Sequence, residues 1–230
     1  MTAPRIEIAG LTTRVVGRDD ATLTAILLHG FGAPGDDLVG LAPYLEAPVR
    51  FVFPEAPLEL SGMYGDARAW WLLDLPRLEA QLSSGDVHAR MADIPDGLAS
   101  ARAQVSRFVD QVAARFATTA DRIVLGGFSQ GAMVSLDVAL HRPAKLAGVI
   151  MLSGTLIAEP EWTPLLPRLA GVPVFMSHGR RDPLLPFAVS ETLRDRLRAA
   201  GAAVDWHPFV GGHEIAPAVL DALGAFLRAR

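Results

Sequence analysis

The chain has 230 residues, 50% of them hydrophobic and 20% charged, with a formal net charge of −4. This supplies enough apolar material for a sizeable core, excludes global disorder, and lacks the basic footprint of a nucleic-acid partner. Cysteine is absent, so disulfides, thiolate metal sites, iron–sulfur clusters and a cysteine nucleophile are all excluded. The opening residues MTAPRIEIAG carry no apolar run of signal-peptide length, and the longest apolar stretch, near Ala147–Leu152, is too short to span a bilayer. The expectation is a soluble, cytoplasmic protein with a small-molecule partner and no membrane span.

Short apolar runs alternate with helical patterns along the chain. Arg5–Ala9 and Thr12–Val16 read as an edge hairpin. Ala25–Leu28, Arg50–Phe53, Ile123–Phe128, Ala147–Leu152, Val172–Ser177 and Ala203–Phe209 read as strands. Their lack of polar alternation suits a parallel sheet buried on both faces. Helices are expected over Asp96–Phe116, where Leu98, Val105, Val109, Val112 and Phe116 share a face, and over Gly131–His141, Phe187–Ala200 and Pro217–Ala229. This order predicts an α/β fold: a mostly parallel central sheet with helices on both faces, in one domain over residues 1–230. The segment 58–95 has no clean period but carries Met63, Tyr64, Trp70 and Trp71. Two readings stand: a substrate-covering insert near the site, or a segment hiding a short helix around Pro76–Leu82.

The sharpest motif is Gly127-Phe128-Ser129-Gln130-Gly131, between a strand and a helix. This is the G-x-S-x-G nucleophile elbow in the context it requires. Ser129 must take a strained turn that lifts its hydroxyl above the sheet, and the crowded turn admits only glycine two residues away on either side. The helix starting at Gln130 aims its N-terminal dipole at the reacting oxygen.

A serine hydroxyl needs a base, usually a histidine oriented by a carboxylate, in the chain order serine, acid, histidine. His29 and His88 precede Ser129 in the chain. His141 sits at a helix end, His207 in a strand, and His178 before the candidate acid. His213, after Gly211-Gly212 just past the last strand, is the expected base. Asp182, directly after the fifth strand, is the expected acid; it could also cap the following helix. Asp137 and Asp195 lie on helices and Asp205 in a strand.

Acyl transfer also needs an oxyanion hole. One donor is expected at the backbone N–H of Gln130, the other at that of Phe31 in the loop His29-Gly30-Phe31-Gly32. His29 is expected to hold that loop through hydrogen bonds. The histidines show no metal-ligand spacing, so neither metal nor cofactor is expected.

With these residues in place, the chain resembles the carboxylesterase/phospholipase family of α/β-hydrolases, the group that includes the acyl-protein thioesterases. LLHGFG, FPEAP, DRIVLGGFSQGA, KLAGVIMLSG, HGRRDPLLP and GGHEI occur in the family's order, from about Ala25 to Phe226. The resemblance implies an α/β-hydrolase fold without a large cap domain, Ser129, Asp182 and His213 as the triad, and Phe31 and Gln130 as oxyanion donors. It is compatible with a homodimer. The departure lies between Met63 and Pro95. The family has a W-F-D type motif there, whereas this chain reads Trp70-Trp71-Leu72-Leu73-Asp74 followed by a longer insert.

The expected function is therefore a serine carboxylic ester hydrolase acting on small to medium acyl esters. Met63, Trp70, Trp71, Leu184 and Leu185 are candidates to line the acyl pocket; ordinary core packing is the competing role. Thioesterase or lysophospholipase-type, amidase and cofactor-free peroxidase-like activities share the same triad. A non-catalytic binding protein on this scaffold would instead have a broken triad or a filled hole.

Overall fold

The fold is described from a computed structural model covering residues 4–60, 65–74, 76–77 and 85–230. The chain starts with an antiparallel hairpin, β1 (Arg5–Ile8) and β2 (Leu11–Gly17), followed by β3 (Leu23–Leu28), a 3-10 segment (Asp37–Tyr44) and β4 (Val49–Pro54). A two-residue hairpin, β5 (Leu58–Glu59) with β6 (Arg68–Ala69), and the short helix α1 (Val87–Ala92) occupy the segment expected to be irregular. Then come α2 (Leu98–Arg115), β7 (Ile123–Phe128), α3 (Gln130–His141), β8 (Gly148–Leu152), α4 (Glu159–Trp162) and β9 (Pro173–Gly179). The chain ends with α5 (Phe187–Ala199), β10 (Ala203–Phe209) and α6 (Pro217–Arg228). Pro76 and Arg77 are helical; the rest of the expected Pro76–Leu82 helix, like Met63 and Tyr64, lies outside the described residues.

Eight strands form one sheet in the order β1-β2-β4-β3-β7-β8-β9-β10. The pairs β1·β2 and β2·β4 are antiparallel, and every pair from β4·β3 to β9·β10 is parallel. The expected mostly parallel sheet, with its edge hairpin, is therefore observed.

The apolar runs divide by residue parity. Ile26, Leu28, Ile123, Leu125, Val149 and Met151 face one cluster, with α2, α3 and α5. Ala25, Leu27, Val124, Ile150 and Phe175 face the other, with the 3-10 segment and α6. This is the period-two consequence of strand geometry with both faces covered. On α2, Leu98, Ala101, Val105, Phe108, Val109 and Val112 form the buried stripe, as the helical spacing predicts. Its start is fixed by Gly97, whose φ of 91° falls in the left-handed region.

The inner face of α3 carries a buried charge. Asp137 is fully enclosed and accepts from Arg102 Nε at 2.6 Å, Arg102 Nη2 at 3.1 Å and the Trp162 indole at 2.8 Å. Arg102 also reaches Glu161 at 2.9 Å. This network pins α2, α3 and α4 together, and the guanidinium supplies the cation for the Asp137–His141–Glu161 trio, whose ligand atoms lie within 4.8 Å of one another. Among the described residues, no helix is long and apolar enough to cross a membrane.

Candidate active site

The loops that follow β3, β7, β8, β9 and β10 meet at the carboxyl ends of the parallel strands, where open α/β sheets bind their ligands. Ser129 occupies the β7–α3 turn with φ 53° and ψ −116°. This conformation is strained for a residue with a Cβ. The turn is held by the Ser129 N–H, which donates to Leu152 O at 2.8 Å. The flanking glycines are required by close approach of β3: a Cβ on Gly127 would lie 2.2 Å from Leu28 O, and one on Gly131 would lie 2.1 Å from the same oxygen.

The three expected side chains come together. His213 Nε2 is 2.8 Å from Ser129 Oγ, and His213 Nδ1 is 2.7 Å from Asp182 Oδ2. The ring packs against Phe128 at 4.9 Å. The loops carrying the acid and the histidine are stitched by backbone bonds, Arg180 N to Phe209 O and Arg181 N to Gly211 O, each at 2.9 Å. Ser153 Oγ holds the same region by donating to Glu214 O at 3.1 Å.

Asp182 does not cap α5, which begins after Pro186. Its Oδ1 accepts from the N–H groups of Leu184 and Leu185, each at 2.9 Å, closing an Asx-type turn. Burial opposes the charge of this carboxyl. Hydrogen bonds from His178, His213 and the Leu185 N–H outweigh that and hold it well below the usual carboxylate range.

His178, set aside on chain order, lies 3.3 Å from Asp182 Oδ2 and donates from Nε2 to Leu185 O at 2.8 Å. It therefore backs the acid. Chain order identifies the base but carries no signal for a second histidine behind the carboxylate.

The loop after β3 is held as expected by His29. Its Nδ1–H donates to Gly30 O at 2.8 Å and its Nε2 accepts from the Ala56 N–H at 3.0 Å. Those partners require the neutral ring, and burial lowers its pKa accordingly. The backbone N–H groups of Phe31 and Gln130 have no backbone acceptor among the described residues. The Gln130 side chain is committed elsewhere: Oε1 accepts from Trp70 N at 2.8 Å and Nε2 donates to Trp71 O at 2.9 Å.

A cleft of about 280 Å³ opens at Ser129 and His213. Trp71, Leu184 and Leu185 line it, as expected, and Phe31 of the loop after β3 borders it as well. Trp70 does not. It is 2% exposed, its indole donates to His29 O at 3.0 Å, and it supports the loop from behind. Met63 lies outside the described residues. Further walls include Met133, Thr155–Ile157 and Val189, with Arg90 contributed by α1. A helix of only six residues is too short to announce itself by periodicity, so sequence reasoning missed Arg90.

An eight-stranded, mostly parallel sheet with helices on both faces and a serine elbow at its carboxyl edge defines an α/β-hydrolase. Comparison with known proteins narrows the class. The family model described as Phospholipase/Carboxylesterase matches residues 12–230, and the chain belongs to that family. Acyl-protein thioesterase 1 of Neurospora crassa is 30% identical over 222 residues, covering 91% of this chain and 87% of the relative. Acyl-protein thioesterase 1 of Gibberella zeae is 31% identical over 221 residues, covering 90% of each. The crystal structure of esterase PE8 superposes with a TM-score of 0.80 at 30% identity, covering 95% of this chain and 98% of that one.

Proposed function

We propose that this chain is a serine carboxylesterase that cleaves small to medium acyl esters through an acyl-enzyme on Ser129, working as one hydrolase domain. The observation that carries the reading is the continuous relay from Ser129 Oγ to His213 Nε2 at 2.8 Å and from His213 Nδ1 to Asp182 Oδ2 at 2.7 Å, beside an apolar cleft.

In this reading His213 Nε2 takes the Ser129 proton as Oγ attacks the acyl carbon. Asp182 keeps Nδ1 protonated and balances the imidazolium that forms. The N–H groups of Phe31 and Gln130, the latter reinforced by the N-terminus of α3, hold the developing oxyanion. His213 then gives its proton to the leaving oxygen as the carbon–oxygen bond breaks. A water enters, loses its proton to His213 and attacks the ester; the carboxylic acid leaves and Ser129 regains its proton. No step requires a cofactor.

An acyl-thioesterase is the second reading. It is favoured by the names of the two fungal relatives and uses the same steps with a thiolate leaving group. The test is a chain-length series of p-nitrophenyl esters and matched acyl-thioesters with wild type and Ser129→Ala. Wild type should turn over at least one series, and the variant should lose about 10⁴-fold or more in kcat. Full activity in Ser129→Ala would end the proposal.

A further inference from the structure

Arg90 is the cation of the cleft without an acidic partner among the described residues. It lines the same space as Ser129 and His213, and among the described residues its side chain makes one hydrogen bond, from Nη2 to Leu184 O at 2.6 Å. A guanidinium carries five N–H donors, so most of its donors have no protein partner among the described residues. The cleft it lines is walled largely by apolar residues, Leu73, Pro95 and Leu185 among them, which weakens screening of its charge. Partial burial works against that charge, and the Asp182 carboxylate works for it.

A second group points to the same ligand chemistry. Thr155 is 4% exposed, lines the cleft, and its Oγ1 has no hydrogen-bond partner. A buried hydroxyl left without a partner is costly unless a ligand satisfies it. Its segment is joined to that of Arg90, because the Ala158 N–H donates to Asp93 O at 2.8 Å just past α1. Of the two carboxylates lining the cleft among the described residues, Asp93 is paired with Arg77, and Asp37 belongs to the segment that carries Phe31.

We propose that Arg90 and Thr155 form an anion subsite in the acyl cleft, selecting esters that carry a carboxylate or phosphate group near the scissile bond. The guanidinium offers a planar fork that matches such oxygens, and the threonine hydroxyl adds a neutral donor. The proposal rests on the hydrolase reading of Ser129, but its test separates the two.

Two substrate pairs are compared by kcat/KM. One pair differs in charge on the acyl side, p-nitrophenyl butyrate against the p-nitrophenyl monoester of glutaric acid. The other differs on the leaving-group side, phenyl butyrate against 4-butyryloxybenzoate. Wild type should prefer the anionic member of at least one pair by about tenfold, and the pair that responds tells which side carries the charge. Arg90→Gln should remove the preference, Arg90→Lys should retain part of it, and Arg90→Glu should invert it. Thr155→Val should lower it severalfold.

The readout is a ratio, so a general loss of activity in a variant cancels. Equal losses on both members of each pair in Arg90→Gln, or no anionic preference in wild type, would overturn the subsite. An unchanged ratio in Thr155→Val would remove Thr155 from it. Loss of all hydrolysis in Ser129→Ala together with no charge preference would leave the hydrolase standing and the subsite refuted.

Discussion

The side chain of Gln130 accepts a hydrogen bond from the Trp70 N–H at 2.8 Å, across 60 residues of sequence. Its amide also donates to Trp71 O at 2.9 Å. The residue whose backbone N–H is proposed to hold the oxyanion thus fixes the Trp70–Trp71 segment with its side chain. Replacing it by leucine leaves the Trp70 N–H and the Trp71 carbonyl buried without partners, at about 1–3 kcal/mol each. Gln130→Leu should therefore lower the thermal midpoint and reduce kcat on a neutral ester. Gln130→Glu should destabilise too, because a carboxylate can accept from Trp70 N but cannot donate to Trp71 O. Thermal melts and steady-state kinetics on the two variants check this.

Gly131 faces the β3 carbonyls, and a Cβ there would lie 2.1 Å from Leu28 O and 2.6 Å from His29 O. Gly131→Ala must push the His29–Phe31 loop away from Ser129. The expected cost exceeds the roughly 1–3 kcal/mol of ordinary overpacking, and kcat should fall because the Phe31 N–H moves with the loop. Denaturant titration and kcat report the two effects. Ala at Gly40, where a Cβ meets nothing within 4 Å, is the control.

His29 is buried as the neutral ring, with a pKa below its usual value. The unfolded chain therefore takes up a proton near pH 6.5 that the folded chain refuses. The stability from this group is complete above pH 6.5 and declines as pH falls toward the lowered folded pKa. Each unit of that shift is worth about 1.4 kcal/mol. Melting temperatures at pH 8 and pH 5.5 should differ more in wild type than in His29→Gln, which should also be less stable at pH 8.

Asp137 is bound by Arg102 and Trp162 inside the α2–α3–α4 layer and lies away from the cleft. Breaking one partner of a buried ion pair costs about 3–5 kcal/mol. Asp137→Ala should lose stability of that order, measured by urea unfolding. Its kcat/KM at low temperature should stay within about twofold of wild type.

Much of this site was legible in the sequence because backbone crowding dictates it. Gly127 and Gly131 are glycine since the β3 carbonyl leaves no room for a Cβ. β7, buried from Ile123 to Gly127, leaves an uninterrupted apolar run whose ends match the strand to the residue; β10 matches its expected bounds too, although it is only partly buried and carries Asp205 and His207. Asp182 and His213 followed from where strands end. The sequence leaves Trp70 open between the cleft and the core, because a large aromatic beside a catalytic loop looks the same whether it lines the cleft or supports the loop from behind. Only its indole bond to His29 O separates the two. His178 and Arg90 act through contacts made after folding, to Asp182 and to Leu184, and neither lies in a pattern that periodicity detects.

In the proposed mechanism Ser129 is the acylated nucleophile, activated by His213. Intact-mass and peptide-mapping analysis after treatment with a fluorophosphonate tests it without assuming any natural substrate. One adduct per chain on Ser129 is expected, strongly slowed in His213→Ala and absent in Ser129→Ala. An adduct on another residue, or hydrolysis of p-nitrophenyl butyrate that persists after Ser129 is fully labelled, would contradict the mechanism.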